Sequence, residues 1–163
     1  MFRRQPDYIL CGDQYLEEFA NYAVHYGDVA LLLTDKRAED MGIKKQVVSA
    51  LDDMGLRLIA RTLASDWPRL NQVKEFWADL DAEYEPNIVI SLGDAPTIHF
   101  AKALSLIAPY KGHVRDLFLG KAEIQLVLPH LTIPLLPEDS RENEMAMAGY
   151  VSIYDADGTL LKF

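Results

Sequence analysis

Apolar positions along the chain switch repeatedly between a helical and a strand-like period. Leu16, Phe19, Ala20 and Ala23 recur at helical spacing, which predicts an amphipathic helix over 13–26 that Gly27 stops. Asp28 to Thr34 is a short, nearly continuous apolar run, as expected of a strand buried on both faces in a parallel sheet. Ile43, Val47, Leu51 and Met54 return to helical spacing, and Gly55 stands where a helix C′ glycine belongs. Leu56 to Leu63 reads as a second strand. Leu70, Val73, Trp77, Leu80 and Tyr84 form one helical stripe. Asn87 to Leu92 is a third buried strand, Gly93 to Pro96 a turn, and Thr97 to Ile107 a helix.

The rhythm changes beyond about residue 109. A short helix is expected over Val114–Leu119, a strand over Thr132–Leu136 and an acidic loop over Glu138–Glu144. Tyr150–Tyr154 and Thr159–Phe163 flank Asp155 to Gly158, and Asp-Gly between apolar runs is a hairpin signal. Strands separated by helices of this length imply right-handed crossovers. The predicted fold is therefore α/β: one domain over residues 1–163, with a mainly parallel sheet flanked by helices and a C-terminal β-hairpin. No internal repeat is visible.

Composition narrows the partners. Sixteen Lys and Arg against 25 Asp and Glu leave a net charge of −9. That argues against nucleic acid, whose phosphates need a basic face, and against an anionic membrane surface. No uninterrupted apolar stretch is long enough to span a bilayer. The lone cysteine, Cys11, lies in the apolar stretch Tyr8–Gly12 and is expected to be a small buried hydrophobe. A reducing compartment, the cytoplasm, is the expected location.

Two strand ends could carry chemistry, because ligands of open parallel sheets bind beyond the C-terminal ends of the strands. At the first, Asp35 could accept hydrogen bonds from a ribose, or it could cap a following helix. At the second, Ser91 to Thr97, a phosphate could rest on free helix N–H groups. Yet Gly93 is the only glycine there, Asp94 brings a negative charge, and Pro96 removes a donor. An internally capped turn is the expectation. The histidines His25, His99, His113 and His130 show no metal-ligand spacing, so no metal is expected. His99, alone in a first helical turn, reads as structural. Gly-x-Ser-x-Gly and Walker motifs are missing.

Asn87 to Lys102, with its Gly93-Asp94-Ala95-Pro96 turn and Ala101-Lys102 end, resembles the iron-containing alcohol dehydrogenases. Their motif is Asp, a hydrophobic run, Gly-Gly-Gly-Ser-x-x-Asp-x-Ala-Lys. Leu33-Thr34-Asp35-Lys36, followed by Met41-Gly42-Ile43, is similar to that family's Thr-Asp-Lys strand end. Asp66-Trp67-Pro68 stands where the family has Asn-Pro-Thr. Thr132 to Pro137 resembles the strand leading into its Pro-Thr-Thr-x-Gly-Thr-Gly-Ser-Glu loop, and Val151 to Asp155 resembles the strand after it. The similarity runs over roughly residues 8–160.

The resemblance implies a Rossmann-like half that binds NAD(P), partnered by a separate all-helical half that bears the metal ligands. By resemblance the cofactor-facing positions are Asp35, Gly93, Asp94, Ala95, Pro96 and His99. The departures fall on these positions. Asp94 and Ala95 replace two glycines, Pro96 the serine and His99 the motif's aspartate. Glu138, Asp139, Arg141, Glu142 and Asn143 replace the downstream Thr and Gly residues. Two like charges 4 Å apart repel by about 4 kcal/mol at an effective dielectric near 20. Two acidified loops therefore point away from dinucleotide binding, and no bound cofactor is expected. The functional expectation is a non-catalytic assembly or regulatory module, a homo-oligomer or a protein's partner, with Met145, Met147 and Tyr150 as candidate interface residues. The alternatives are an NAD(P)-binding half completed by a metal-binding partner, and a binder of a cationic or neutral molecule at Asp35, Asp94, Glu138 and Asp139.

Overall fold

The computed structural model describes residues 14–81, 83–135 and 152–162. In order they form α1 (Tyr15–Ala23), β1 (Val29–Asp35), α2 (Lys36–Asp40), α3 (Ile43–Asp53), β2 (Arg57–Leu63), α4 (Leu70–Ala78), β3 (Ile88–Gly93), α5 (Ala95–Ile107), α6 (Val114–Phe118), β4 (His130–Pro134), β5 (Ser152–Tyr154) and β6 (Leu160–Lys162). The segments predicted at Tyr8–Gly12, with Cys11, and at Glu138–Glu144 lie outside the described residues. So do Met145, Met147 and Tyr150.

The first four strands make a parallel sheet in the order β2-β1-β3-β4. Every residue of β1 and of β3 is buried, as their unbroken apolar runs require. Alternate side chains serve opposite faces. Leu31, Leu33 and Val89 pack under α4, α5 and α6, against Val73, Leu104 and Leu117. Ala30, Leu32, Ile88 and Ile90 pack against Phe19 and Ala20 of α1 and Val47 and Leu51 of α3. Burying each such leucine contributes about 1.5–3 kcal/mol. The chain steps from β1 to β2 with α3 on one face. It steps back past β1 to β3 with α4 on the other. This change of face with change of direction is what right-handed crossovers demand.

The structure departs from the predicted elements in several places; β4, for one, starts at His130, two residues before the expected Thr132. The stripe expected to reach Tyr84 stops at Ala78. Beyond it Asp79, Asp81 and Glu83 would place negative charge at a helix C-terminus, where the helix dipole disfavours it. Tyr84 instead lies under the Arg57 guanidinium, 4.2 Å from carbon to ring centroid. Helix α5 starts at Ala95, two residues before the expected Thr97, because Asp94 caps it and Pro96 suits its first turn. Helix α2 realises the capping alternative at Asp35, as a separate short helix before α3. Its first turn is nucleated by the Asp35 side chain.

β5 and β6 form the expected antiparallel hairpin. Asp155 N–H donates to Thr159 O, and Gly158 turns the chain at φ 85°. The hairpin is tied to the main body by Tyr154 N–H to Pro68 O, 2.9 Å, and by Arg115 Nε to Asp155 Oδ2, 3.1 Å.

Candidate functional site

Strand order places the reversal of chain direction between β1 and β3, since β2 lies on one side of β1 and β3 on the other. The crevice at the C-terminal ends of these two strands is the topological switch point, where doubly wound sheets take their ligands. Register sets Thr34 beside Leu92, so Asp35 and the Gly93–Asp94 turn follow as neighbours.

Asp35 is 1% exposed and both of its carboxylate oxygens are used. Oδ1 accepts the Ala38 N–H at 2.7 Å, capping α2. Oδ2 accepts the Asp94 N–H at 2.9 Å, across the crevice. One carboxylate thus ties the tips of β1 and β3 together. Gly93 makes this possible by lacking a side chain. Asp94 in turn accepts the Thr97 N–H at 3.0 Å and the Thr97 hydroxyl at 2.7 Å through Oδ1. Pro96 has no N–H to offer. The Asp94 and Thr97 N–H groups and the Thr97 hydroxyl, donors that a β3–α5 turn could aim at an anion, are therefore engaged by two acidic side chains of the chain itself. Of the residues singled out by sequence, Asp35, Gly93, Asp94, Ala95 and Pro96 meet at this crevice.

His99 lies one turn further along α5 and is fully buried. Its Nδ1 accepts the Ser152 N–H at 3.2 Å, and its ring packs on Trp67 with centroids 4.9 Å apart. Trp67 Nε1–H donates to Ser152 O at 3.0 Å. These contacts pin the hairpin between the β2–α4 connection and α5, a structural use of the histidine. Trp67 and Ser152 carry no sequence signal for this role, because the three residues lie far apart in the chain.

A second polar group was also invisible in the sequence. His130 Nε2 lies 2.8 Å from Ser91 Oγ, and Ser91 donates to Thr132 Oγ1 at 2.9 Å. All three lie on the α5 side of β3 and β4. Burial, with the nearby positive charge of Lys102, pushes the His130 imidazole down to about 3. Burial pushes the Lys102 ammonium down to about 8. Ser91 itself is fully buried, while His130 and Thr132 are half-buried.

Among the described residues no three His, Cys, Asp or Glu side chains are grouped to hold a metal ion. No helix among them is long and apolar enough to cross a membrane. Two open grooves lie away from the crevice. One is at the N-terminal ends of β1 and β2, beside Arg57 and Tyr84, and one runs between α1 and α3.

Sheet order, crossovers and crevice define a doubly wound, Rossmann-like α/β domain. Residues 6–148 match the family model described as iron-containing alcohol dehydrogenase, and the chain belongs to that family. Solved structures agree on the fold. An iron-containing alcohol dehydrogenase from Thermotoga maritima superposes with a TM-score of 0.81 at 20% identity, covering 98% of this chain and 43% of its own. An NADH-dependent butanol dehydrogenase A from the same organism gives 0.78 at 21% identity, covering 99% and 40%. An alcohol dehydrogenase from Oenococcus oeni gives 0.79 at 14% identity, covering 99% and 42%. The chain thus spans well under half the length of these relatives. No curated protein sequence matches it significantly.

Proposed function

We propose that this chain keeps the family's dinucleotide scaffold without its dehydrogenase chemistry, and works as an assembly or regulatory module. It would associate with itself or with a protein partner, not with nucleic acid or a membrane, given a net charge of −9. Its single cysteine suits the cytoplasm. One observation carries the reading: the buried Asp35 carboxylate spans the switch-point crevice and takes one N–H from each side of it. A pyrophosphate at the same place would meet Asp94 and the Asp35 carboxylate in place of free donors. Dinucleotide does not fit that arrangement. Calorimetric titration with NADH and NADPH tests the proposal, with light scattering on the same sample to read self-association. No heat at millimolar ligand together with a dimer or larger particle supports it. A dissociation constant below about 100 μM, or about −5.5 kcal/mol, overturns it.

A second reading makes the chain the NAD(P)-binding half of an oxidoreductase whose metal ligands come from a separate partner. It is favoured by family membership and by the NADH-dependent butanol dehydrogenase among the structural relatives. The same titration separates the two, since only this reading needs a dinucleotide to bind. The third possibility, a cationic or neutral ligand at Asp35 and Asp94, is less well supported. Asp35 is buried and its oxygens are already engaged.

A further inference from the structure

We infer that Asp94 is a built-in substitute for an anionic ligand at the N-terminus of α5, and that its carboxylate is what closes the crevice to pyrophosphate. The inference rests on the reading that the wild-type crevice takes no dinucleotide, and assigns the cause to one residue. Three observations converge on it. α5 is thirteen residues long, so its N-terminus carries the partial positive charge of a full helix dipole. Two of its first-turn donors, the Thr97 N–H and Thr97 hydroxyl, both point at Asp94 Oδ1 and satisfy it. The Asp94 N–H is withdrawn from the crevice by Asp35 Oδ2. An incoming phosphate would have to displace one carboxylate from its donors and lie beside a second. The substituted turn is thus a closed structure with its own counter-charge, consistent with Gly93 serving the approach of Asp35 and not of a ligand.

The experiment uses the full chain, with inorganic pyrophosphate as the probe, in wild type, Asp94→Gly and Asp94→Asn. Glycine frees both Thr97 donors and removes the charge, at little cost to the helix cap. Asparagine keeps the cap and removes only the charge. The expected result is no detectable heat for wild type and affinity at least about tenfold tighter for Asp94→Gly, with a smaller gain for Asp94→Asn. A folded Asp94→Gly with no gain overturns the inference and leaves the non-binding reading standing. Should Asp94→Gly fail to fold, a folded Asp94→Asn with no gain overturns it equally. Wild type binding pyrophosphate and NADH as tightly as the variants do would sink both.

Discussion

Gly93 lies so close to Asp35 that a Cβ placed on the glycine would stand 2.7 Å from Asp35 Oδ2 and 2.8 Å from its Cγ. The carboxylate cannot swing aside without giving up the Ala38 or the Asp94 N–H. Gly93→Ala should therefore destabilise the ligand-free protein by about 1–3 kcal/mol, the usual range for overpacking a tight site. Urea denaturation reads this directly. Asp35→Ala should also destabilise, by about 1–3 kcal/mol, because it leaves buried N–H groups unpaired. In the double variant the two losses should fall short of their sum, since removing the carboxylate removes what the new methyl strikes. Strict additivity would show that Gly93 does not serve Asp35.

The hairpin should be held chiefly through His99 and Trp67. Trp67→Phe keeps the ring against His99 but loses the donor to Ser152 O, at about 1 kcal/mol. His99→Ala loses both the Ser152 N–H acceptor and the ring contact. Hydrogen exchange should speed up at residues 152–162 in both variants, more in His99→Ala, while β1 and β3 amides keep their protection. Equal loosening of the central strands would mean that the hairpin is not a separable unit.

Acid should weaken the fold through His130. Its native pKa of about 3 lies below the 6.5 of an unfolded histidine, so the unfolded chain binds the extra proton between those values. Stability is then full above about pH 6.5 and declines as the pH falls towards 3. His130→Gln keeps a group that can bond Ser91 but cannot titrate. Its melting temperature should fall less than that of wild type between pH 6.5 and 4.5, above the range where most carboxylates protonate. Parallel curves would contradict a neutral imidazole at this site in the folded chain.

At the opposite end of the sheet, Asn87 binds the start of β1. Its Oδ1 accepts the Asp28 and Val29 N–H groups, each at 3.1 Å, and its Nδ2 donates to Asp28 Oδ1 at 2.7 Å. Arg57 reaches the other Asp28 oxygen at 2.6 Å. The Asn87 amide, then Arg57, holds the Asp28 carboxyl below the usual carboxylate range. Asn87→Ala should cost about 0.5–1.5 kcal/mol in urea and should raise the Asp28 pKa, readable by NMR titration. An unchanged Asp28 pKa would remove Asn87 from this role.

By itself the sequence determined what short-range physics encodes. Unbroken apolar runs marked β1 and β3 because both faces of a central parallel strand are buried. Helical stripes marked α1 and α3, Gly55 marked a helix end that it reaches at φ 81°, and Asp94 marked a capped turn, since a cap needs only the residue three places on. The family turn at Gly93–Pro96 was legible for the same reason. Tertiary structure decided the rest. Whether Asp35 faced a ligand or the protein depended on Asp94, 59 residues away, reaching it through the pairing of Thr34 with Leu92. Ser91 and His130 became partners only when β4 settled beside β3, and His99 found Ser152 only when the hairpin docked. Such contacts follow from strand order and register, set by how two layers of helices bury both faces of one sheet at once. No local window of residues contains that information.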